Sequence, residues 1–148
     1  IDHFNHTKYI EASDTLFKLL EKNELELNLT IIRYFNVIKD KRIIPYLLNF
    51  MDSPNWEERS TAIKCSELYI NKRIETKLLE LMKDSNWYVR SNSANIYING
   101  SNIVPIMNEL KTTKDEFQKD IILYTLFKKH LINYDYYQKQ IKGSDLDE

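Results

Sequence analysis

The chain has 148 residues, and its 21 lysine and arginine residues nearly balance its 22 aspartate and glutamate residues. This length is typical of one domain, and the near-zero net charge argues against a protein that binds nucleic acid through the phosphate backbone. The single cysteine, Cys65, excludes an internal disulfide bond. It lies within an apolar run, which favours a buried structural thiol over a nucleophile.

Apolar residues at helical spacing predict helices along the whole chain, and strand patterns are absent. We expect a first helix as far as Lys22, a break at Asn23 and a second helix with two apolar stripes, which predicts neighbours on both sides. The later helices are predicted at approximately 44–51, 55–70, 74–82, 86–98, 103–110 and 114–130. The sixth is expected to stop at Asn99-Gly100, where glycine can adopt a positive φ. The aromatic-rich tail after Leu131 is expected to form a ninth helix.

One polar phrase occurs twice at a fixed spacing. Asp52-Ser53-Pro54-Asn55-Trp56-Glu57-Glu58-Arg59 is followed by Asp84-Ser85-Asn86-Trp87-Tyr88-Val89-Arg90. The two tryptophans are 31 positions apart, and so are the two arginines. Apolar runs precede and follow each copy, and either Ser53 or Asn55 can cap the helix after the first copy.

A period near 31 residues, made of two helices and a polar turn, is typical of an α-solenoid. We therefore predict an all-α, right-handed solenoid that forms a single domain over residues 1–148. It would contain about four helix pairs and a C-terminal capping tail, at approximately 7–39, 43–70, 74–99, 103–130 and 131–148. Because the first residue is Ile1 rather than Met, we expect the chain to be processed or part of a longer protein.

Three phrases resemble the HEAT-repeat family, in the short bacterial form related to phycobilisome-lyase repeats. They are Ile43-Ile44-Pro45-Tyr46-Leu47-Leu48, the second copy of the polar phrase, and the Ser93-Ala94 that follows it. The resemblance covers Arg42 to Gly100, and the flanking helix pairs match by helical pattern only. It implies HEAT-type helix pairs in which an aspartate and an arginine form a ladder between neighbouring repeats.

Carried over to this chain, the resemblance implies that the ladder residues are structural. These residues are Asp52, Arg59, Asp84 and Arg90. A charge that is half buried between repeats must be paired. The ladder is expected to stop at both ends, because Asn28 and Lys119 stand where the pattern has arginine.

Residues on the second helix of each pair predict a concave binding face. At the 31-residue period three sets align, each spaced i, i+4, i+7 on one helix face. The sets are Glu26, Thr30, Arg33; Glu57, Thr61, Lys64; and Tyr88, Asn92, Asn95. At a spacing of 29 the fourth set is Phe117, Ile121 and Tyr124, so the face is expected to become apolar there. The alternative interpretation of the polar sets is a solvated surface.

We expect the tail to pack on the last helix of the fourth pair and to leave Phe117 and Tyr124 open as a docking point. Trp56 and Trp87 either cover the turn of their repeat or stack on a ligand, and their identical placement favours the structural role. His3 and His6 are spaced i, i+3, but a metal site needs more ligands. We therefore expect no metal and no cofactor.

These features favour a non-enzymatic scaffold that binds another protein through the concave face. Two alternatives remain open: a nucleic-acid-binding or DNA-repair HEAT protein similar to the alkylpurine glycosylases, and a lyase- or chaperone-like HEAT protein. Basic residues are spread along turns and diluted by acids, which argues against nucleic acid as a partner. No run of about 20 apolar residues is present to span a membrane. The phrase Asn86-Trp87-Tyr88-Val89-Arg90 resembles HEAT proteins of Gram-positive bacteria that can be membrane-tethered. We expect a cytoplasmic location, with a tether to the inner face of the membrane through a preceding segment as an open alternative.

Overall fold

The computed structural model describes the backbone of residues 3–100 and 103–146 and the side chains of residues 8–100 and 103–141. Over these residues the chain contains nine α-helices and no strand. The helices are α1 His3–Leu19, α2 Leu25–Val37, α3 Ile44–Phe50, α4 Trp56–Ser66, α5 Lys72–Leu81, α6 Trp87–Gly100, α7 Ile103–Thr112, α8 Glu116–Lys128 and α9 Tyr134–Leu146. The all-α prediction is confirmed, together with the order of the helices.

Several predicted helix ends differ from those observed. The α-helical part of α4 stops at Ser66, and a 3-10 turn, Glu67–Tyr69, continues it. Gly100 ends α6, but no described glycine has a positive φ. The predicted break at Asn23 is confirmed, because this residue adopts the left-handed conformation with φ 50°. Asparagine tolerates that conformation better than most residues with a Cβ atom.

The chain divides into two compact units, the first up to Ile74 and the second from Glu75 onward. In the first unit α4 packs on α2 and α3, and the Phe17 ring of α1 stacks on Phe35 at 5.0 Å and on Tyr46 at 5.3 Å. In the second unit α8 packs on α6, α7 and α9. Each unit therefore has one helix at its centre. A single solenoid domain over the whole chain stays a prediction.

The helices at the centre of the units, and α6, begin with the same capping turn. The Asn55 side chain accepts hydrogen bonds from the backbone N–H groups of the second and third residues of α4, and Asn86 does the same for α6. The Asp115 carboxylate accepts one from the N–H of Gln118 in α8. These bonds satisfy N–H groups that the first turn of a helix leaves without an internal partner. Of the two predicted caps for α4, the asparagine is the one observed.

A buried carboxylate joins α4 to α2 in the first unit. The Glu58 side chain is 9% exposed, and its Oε2 atom accepts a hydrogen bond of 2.9 Å from Nδ2 of buried Asn28. Its Oε1 atom accepts a bond of 2.8 Å from the Ser53 hydroxyl in the capping turn. A carboxylate at this depth is stable only if it is hydrogen-bonded. The amide of Asn28, a residue expected to mark the end of the ladder, thus donates to the carboxylate of the next helix pair.

Helix α9 packs on α8 in the second unit. The chain leaves α8 through His130, whose φ is 61°, and the N–H of Leu131 bonds to the carbonyl oxygen of Leu126 in the pattern of a Schellman motif. The Tyr137 ring of α9 then stacks on Phe127 of α8 at 4.9 Å. As expected for the tail, α9 packs on α8 and leaves Phe117 and Tyr124 exposed, and its role as a cap stays a prediction.

Replacing Asn28 by alanine should lower the free energy of unfolding by about 1–3 kcal/mol, because the Glu58 carboxylate loses its buried amide donor. Denaturant unfolding followed by circular dichroism measures this change. Asn36→Ala is the matched control, since Asn36 is exposed on the same helix. Equal stability of the two variants would contradict a stabilising role for the Asn28–Glu58 bond.

Deleting residues from Asn133 onward should expose the Phe127 ring that Tyr137 covers. We expect lower solubility and stronger fluorescence of a hydrophobic dye, because exposed contiguous apolar surface binds such dyes and promotes association. Tyr137→Ala in the full chain removes a single ring and should produce a smaller increase. A truncated protein with the dye binding and solubility of the full chain would show that α9 is not a cap.

Candidate functional site

A cleft of about 450 Å³ opens between α6, α8 and α9 in the second unit. Its apolar walls come from all three helices: Trp87 of α6, Phe117, Ile121 and Tyr124 of α8, and Tyr137 and Ile141 of α9. The charged side chains at the cleft are Arg90 and Asp120, one of each sign. The cleft is therefore mainly aromatic and close to neutral.

Three of the aromatic side chains at the cleft are exposed. Trp87 is 49% exposed, Phe117 is 51% exposed and Tyr124 is 39% exposed. Scattered apolar residues are common on protein surfaces, but several aromatic rings around one concavity are typical of a binding site. This cluster is the strongest candidate site among the described residues.

The capping turns place two of these rings. Trp87 is the first residue of α6 and directly follows its cap Asn86, and Phe117 is the second residue of α8, two positions after its cap Asp115. Tyr124 lies seven residues after Phe117, which is two helical turns along the same face of α8. Each cap therefore determines where along the helix axis the ring lies and in which direction it points.

Arg90 is held in place on two sides. Its Nη1 atom donates hydrogen bonds to the carbonyl oxygens of Asp84 at 2.9 Å and Ser85 at 3.1 Å, in the turn before α6. Its guanidinium carbon lies 4.3 Å from the centroid of the Phe117 ring, a cation–π geometry. This contact ties α6 to α8 and fixes one wall of the cleft.

The predicted concave face is accessible almost throughout. Thr61 and Asn92 are half-buried, and the rest of the predicted set is exposed: Glu26, Thr30, Arg33, Glu57, Lys64, Tyr88, Asn95, Phe117 and Tyr124. The fourth set differs at its middle position, because Ile121 is 3% exposed and belongs to the core. The cleft thus brings together Phe117 and Tyr124 of the predicted face. Binding at the polar sets stays a prediction.

Each arginine of the predicted ladder donates a hydrogen bond to a backbone carbonyl in the turn before its own helix. Arg59 donates from Nη1 to the carbonyl oxygen of Ser53 at 2.9 Å, as Arg90 does to Asp84. Both guanidinium groups therefore stabilise the turn that precedes their helix. A ladder of aspartate and arginine between repeats stays a prediction.

Both tryptophans begin a helix and are exposed, so part of each indole ring is accessible to a ligand. The Trp87 ring meets Tyr88 edge to face at 5.5 Å as well as bordering the cleft. A structural role at the turn therefore leaves one side of this ring available.

The described residues include one cysteine, and its side chain is buried. Burial raises the pKa of the Cys65 thiol to about 12, so the thiol stays protonated at neutral pH. No group of three or more His, Cys, Asp or Glu residues in the described part of the chain could hold a metal ion. The side chains of His3 and His6 lie outside the described residues. None of the described helices is long and apolar enough to cross a membrane.

Sequence reasoning missed the contribution of α9 and of Arg90 to the cleft. Tyr137 and Ile141 are four residues apart, so they share a helix face, and this spacing was the available signal. Arg90 was assigned to the ladder, and its position over the Phe117 ring depends on how α6 packs against α8.

Comparison of the chain with models of known protein families, with curated proteins and with solved structures finds no significant match.

Arg59→Ala and Arg90→Ala should each lower the free energy of unfolding by about 1–3 kcal/mol, because the turn carbonyls lose a charged donor. Thermal unfolding measures the change, and Arg33→Ala on an exposed helix face is the control. Unchanged stability of both variants would mean that these arginines do not stabilise their turns and are available for binding instead.

Proposed function

We propose that the chain is a non-enzymatic interaction module that binds a segment of another protein in the aromatic cleft. The observation that carries this proposal is the set of exposed rings, Trp87, Phe117 and Tyr124, around a cleft of about 450 Å³. Tryptophan, tyrosine and arginine are the residues that most often dominate the binding energy of protein interfaces. All three types meet here, since Arg90 also borders the cleft.

The rigidity of the cleft supports the same function. Arg90 is fixed by two backbone carbonyls and by the Phe117 ring, and Tyr137 is stacked on Phe127. A surface that is already ordered loses little side-chain entropy when a partner binds. The described side chains that line the cleft include one carboxylate and neither His nor Cys, so a general acid–base pair has no obvious members there.

We further propose that the helix pairs are HEAT-type repeats of an α-solenoid. The support is local: the turns before α4 and α6 have the same cap and the same arginine-to-carbonyl bond, at 2.9 Å in both. In such a fold the exposed polar sets on α2, α4 and α6 would extend the binding surface beyond the cleft.

Trp56→Phe leaves Trp87 as the only tryptophan of the chain, so its fluorescence reports directly on the cleft. We expect peptides selected from a random display library on the immobilised protein to shift the Trp87 emission of this variant. Phe117→Ala should weaken that binding roughly tenfold or more, since it removes a central ring. The matched control is Tyr134→Ala, which removes an exposed ring of α9 that does not line the cleft.

Two results would contradict the proposal. One is selected peptides that bind Phe117→Ala as tightly as the unsubstituted protein. The other is salt-dependent binding of duplex DNA at about 0.15 M salt that persists in Phe117→Ala, which would favour the nucleic-acid alternative.

A further inference from the structure

We infer that two copies of this chain can exchange α9, so that the α9 helix of one copy packs on α8 of the other. The partner on the exchanged surface is therefore a second copy of the same chain. The inference does not depend on the proposed function. It follows from three features of the second unit: how deeply α9 packs, how it is connected to α8, and which residues make up that connection.

Helix α9 packs less deeply than the other helices. Each of α1 to α8 has at least one buried side chain, whereas the described side chains of α9, residues 134–141, are all half-buried or exposed. Its contacts with α8 include two ring pairs, since Phe127 stacks on Tyr137 at 4.9 Å and is tilted against Tyr134 at 6.1 Å. Elements with few buried apolar contacts open at the lowest free-energy cost. Helix α9 can therefore detach while the rest of the unit stays folded.

The connection that folds α9 back onto α8 is short and strained. It consists of residues 129–133, and within it His130 has a φ of 61°, in the left-handed region. That conformation is sterically unfavourable for a residue with a Cβ atom. Short connections under strain favour exchange of the element that follows them, because the exchanged form no longer requires the turn.

The residues of the connection are compatible with a continuous helix. Neither glycine nor proline occurs in residues 116–142, and the connection includes leucine and lysine, which favour helix formation. If residues 129–133 became helical, α8 and α9 would form one helix and His130 would return to the right-handed region. Helix α9 would then lie beyond the reach of its own α8 and would be free to pack on a second copy.

The hydrogen bonds of the turn have replacements in the continuous helix. In the turn, the N–H of Leu131 bonds to the carbonyl oxygen of Leu126, and the Asn133 side chain accepts from the N–H of Tyr136 at 2.8 Å. In a continuous helix the same N–H groups bond to carbonyl oxygens four residues earlier. Opening the turn therefore leaves these backbone donors satisfied.

The surface that α9 leaves is matched to α9 of a second copy, because both copies have the same residues. Tyr137 of the second copy would cover Phe127, and the cleft would regain its wall of Tyr137 and Ile141 from that copy. Each cleft of the dimer would thus be built from both chains.

The proximity of α9 to its own α8 opposes the exchange. For a short connection this proximity corresponds to an effective concentration in the millimolar range. The strain at His130 acts against the closed form and lowers that value. We therefore expect dimers at protein concentrations on the order of 0.1 mM.

Substitutions of His130 test the inference directly. Glycine adopts a positive φ freely and is a poor helix former, so His130→Gly favours the closed monomer on both counts. Alanine keeps the Cβ atom and is the best helix former, so His130→Ala favours the continuous helix. Light scattering after size-exclusion chromatography measures the dimer dissociation constant, which should be at least about tenfold lower for His130→Ala than for His130→Gly. Lys139→Ala, at an exposed position of α9, should behave like the unsubstituted chain.

A second experiment distinguishes exchange from ordinary surface contact. In the His130→Ala background, Phe127→Ala removes the ring on α8, and Tyr137→Ala removes the ring on α9 that stacks on it. Each variant alone lacks one ring of every stack, whereas a mixed dimer that exchanges α9 contains one complete stack. Native mass spectrometry should show at least about fivefold more mixed dimer than either homodimer, against about twofold for random pairing. Circular dichroism of every variant verifies that the fold is retained.

Three results would overturn the inference. One is equal dissociation constants for His130→Gly and His130→Ala, which includes the absence of dimers from both at about 1 mM. Another is random pairing in the mixture of Phe127→Ala and Tyr137→Ala. The third is a dimer that Phe117→Leu abolishes and that does not respond to His130, which would make the interface a contact between clefts. Peptide binding in the cleft is measured separately, so its failure and the failure of the exchange are distinguishable.

Discussion

The capping hydrogen bond at the start of α4, α6 and α8 is the interaction on which most of the structure depends. In each case an Asn or Asp side chain accepts from a backbone N–H in the first turn of the helix. A cap fixes the residue at which a helix begins, and with it the direction of every side chain that follows. In the second unit the caps Asn86 and Asp115 place Trp87 and Phe117 beside each other at the cleft.

Equivalent positions after the caps are stabilised in different ways. The third residue of each helix points into the core, and it is Glu58 in α4, Val89 in α6 and Gln118 in α8. Glu58 accepts a hydrogen bond from the Asn28 amide, whereas Gln118 donates from Nε2 to the carbonyl oxygen of Leu79 at 3.1 Å. Val89 is apolar, so it can be buried in the core without a hydrogen-bond partner. At Glu58 and at Gln118 a neighbouring helix supplies a hydrogen-bond partner for the buried polar side chain.

The sequence was sufficient to predict features that depend on neighbouring residues along the chain. Helical spacing identified all the helices, and polar residues at i, i+4, i+7 identified the exposed faces of α2, α4 and α6. Features that depend on packing were not predictable. The pairing of Glu58 with Asn28 joins residues 30 positions apart, and Ile121 is buried although its neighbours on the helix face are exposed. For the cleft, Phe117 and Tyr124 were identified, but the wall from α9 was not.

His130, which adopts the left-handed conformation between α8 and α9, affects the position of the α9 wall of the cleft although it does not line the cleft. His130 has a Cβ atom, so its φ of 61° costs roughly 1–2 kcal/mol relative to a right-handed conformation. That torsion directs the chain so that Tyr137 reaches Phe127 and the third wall forms. Glycine there would relieve the strain and loosen the direction of α9, and a β-branched residue would increase the strain. The width of the cleft therefore depends on a backbone position that lies outside its lining.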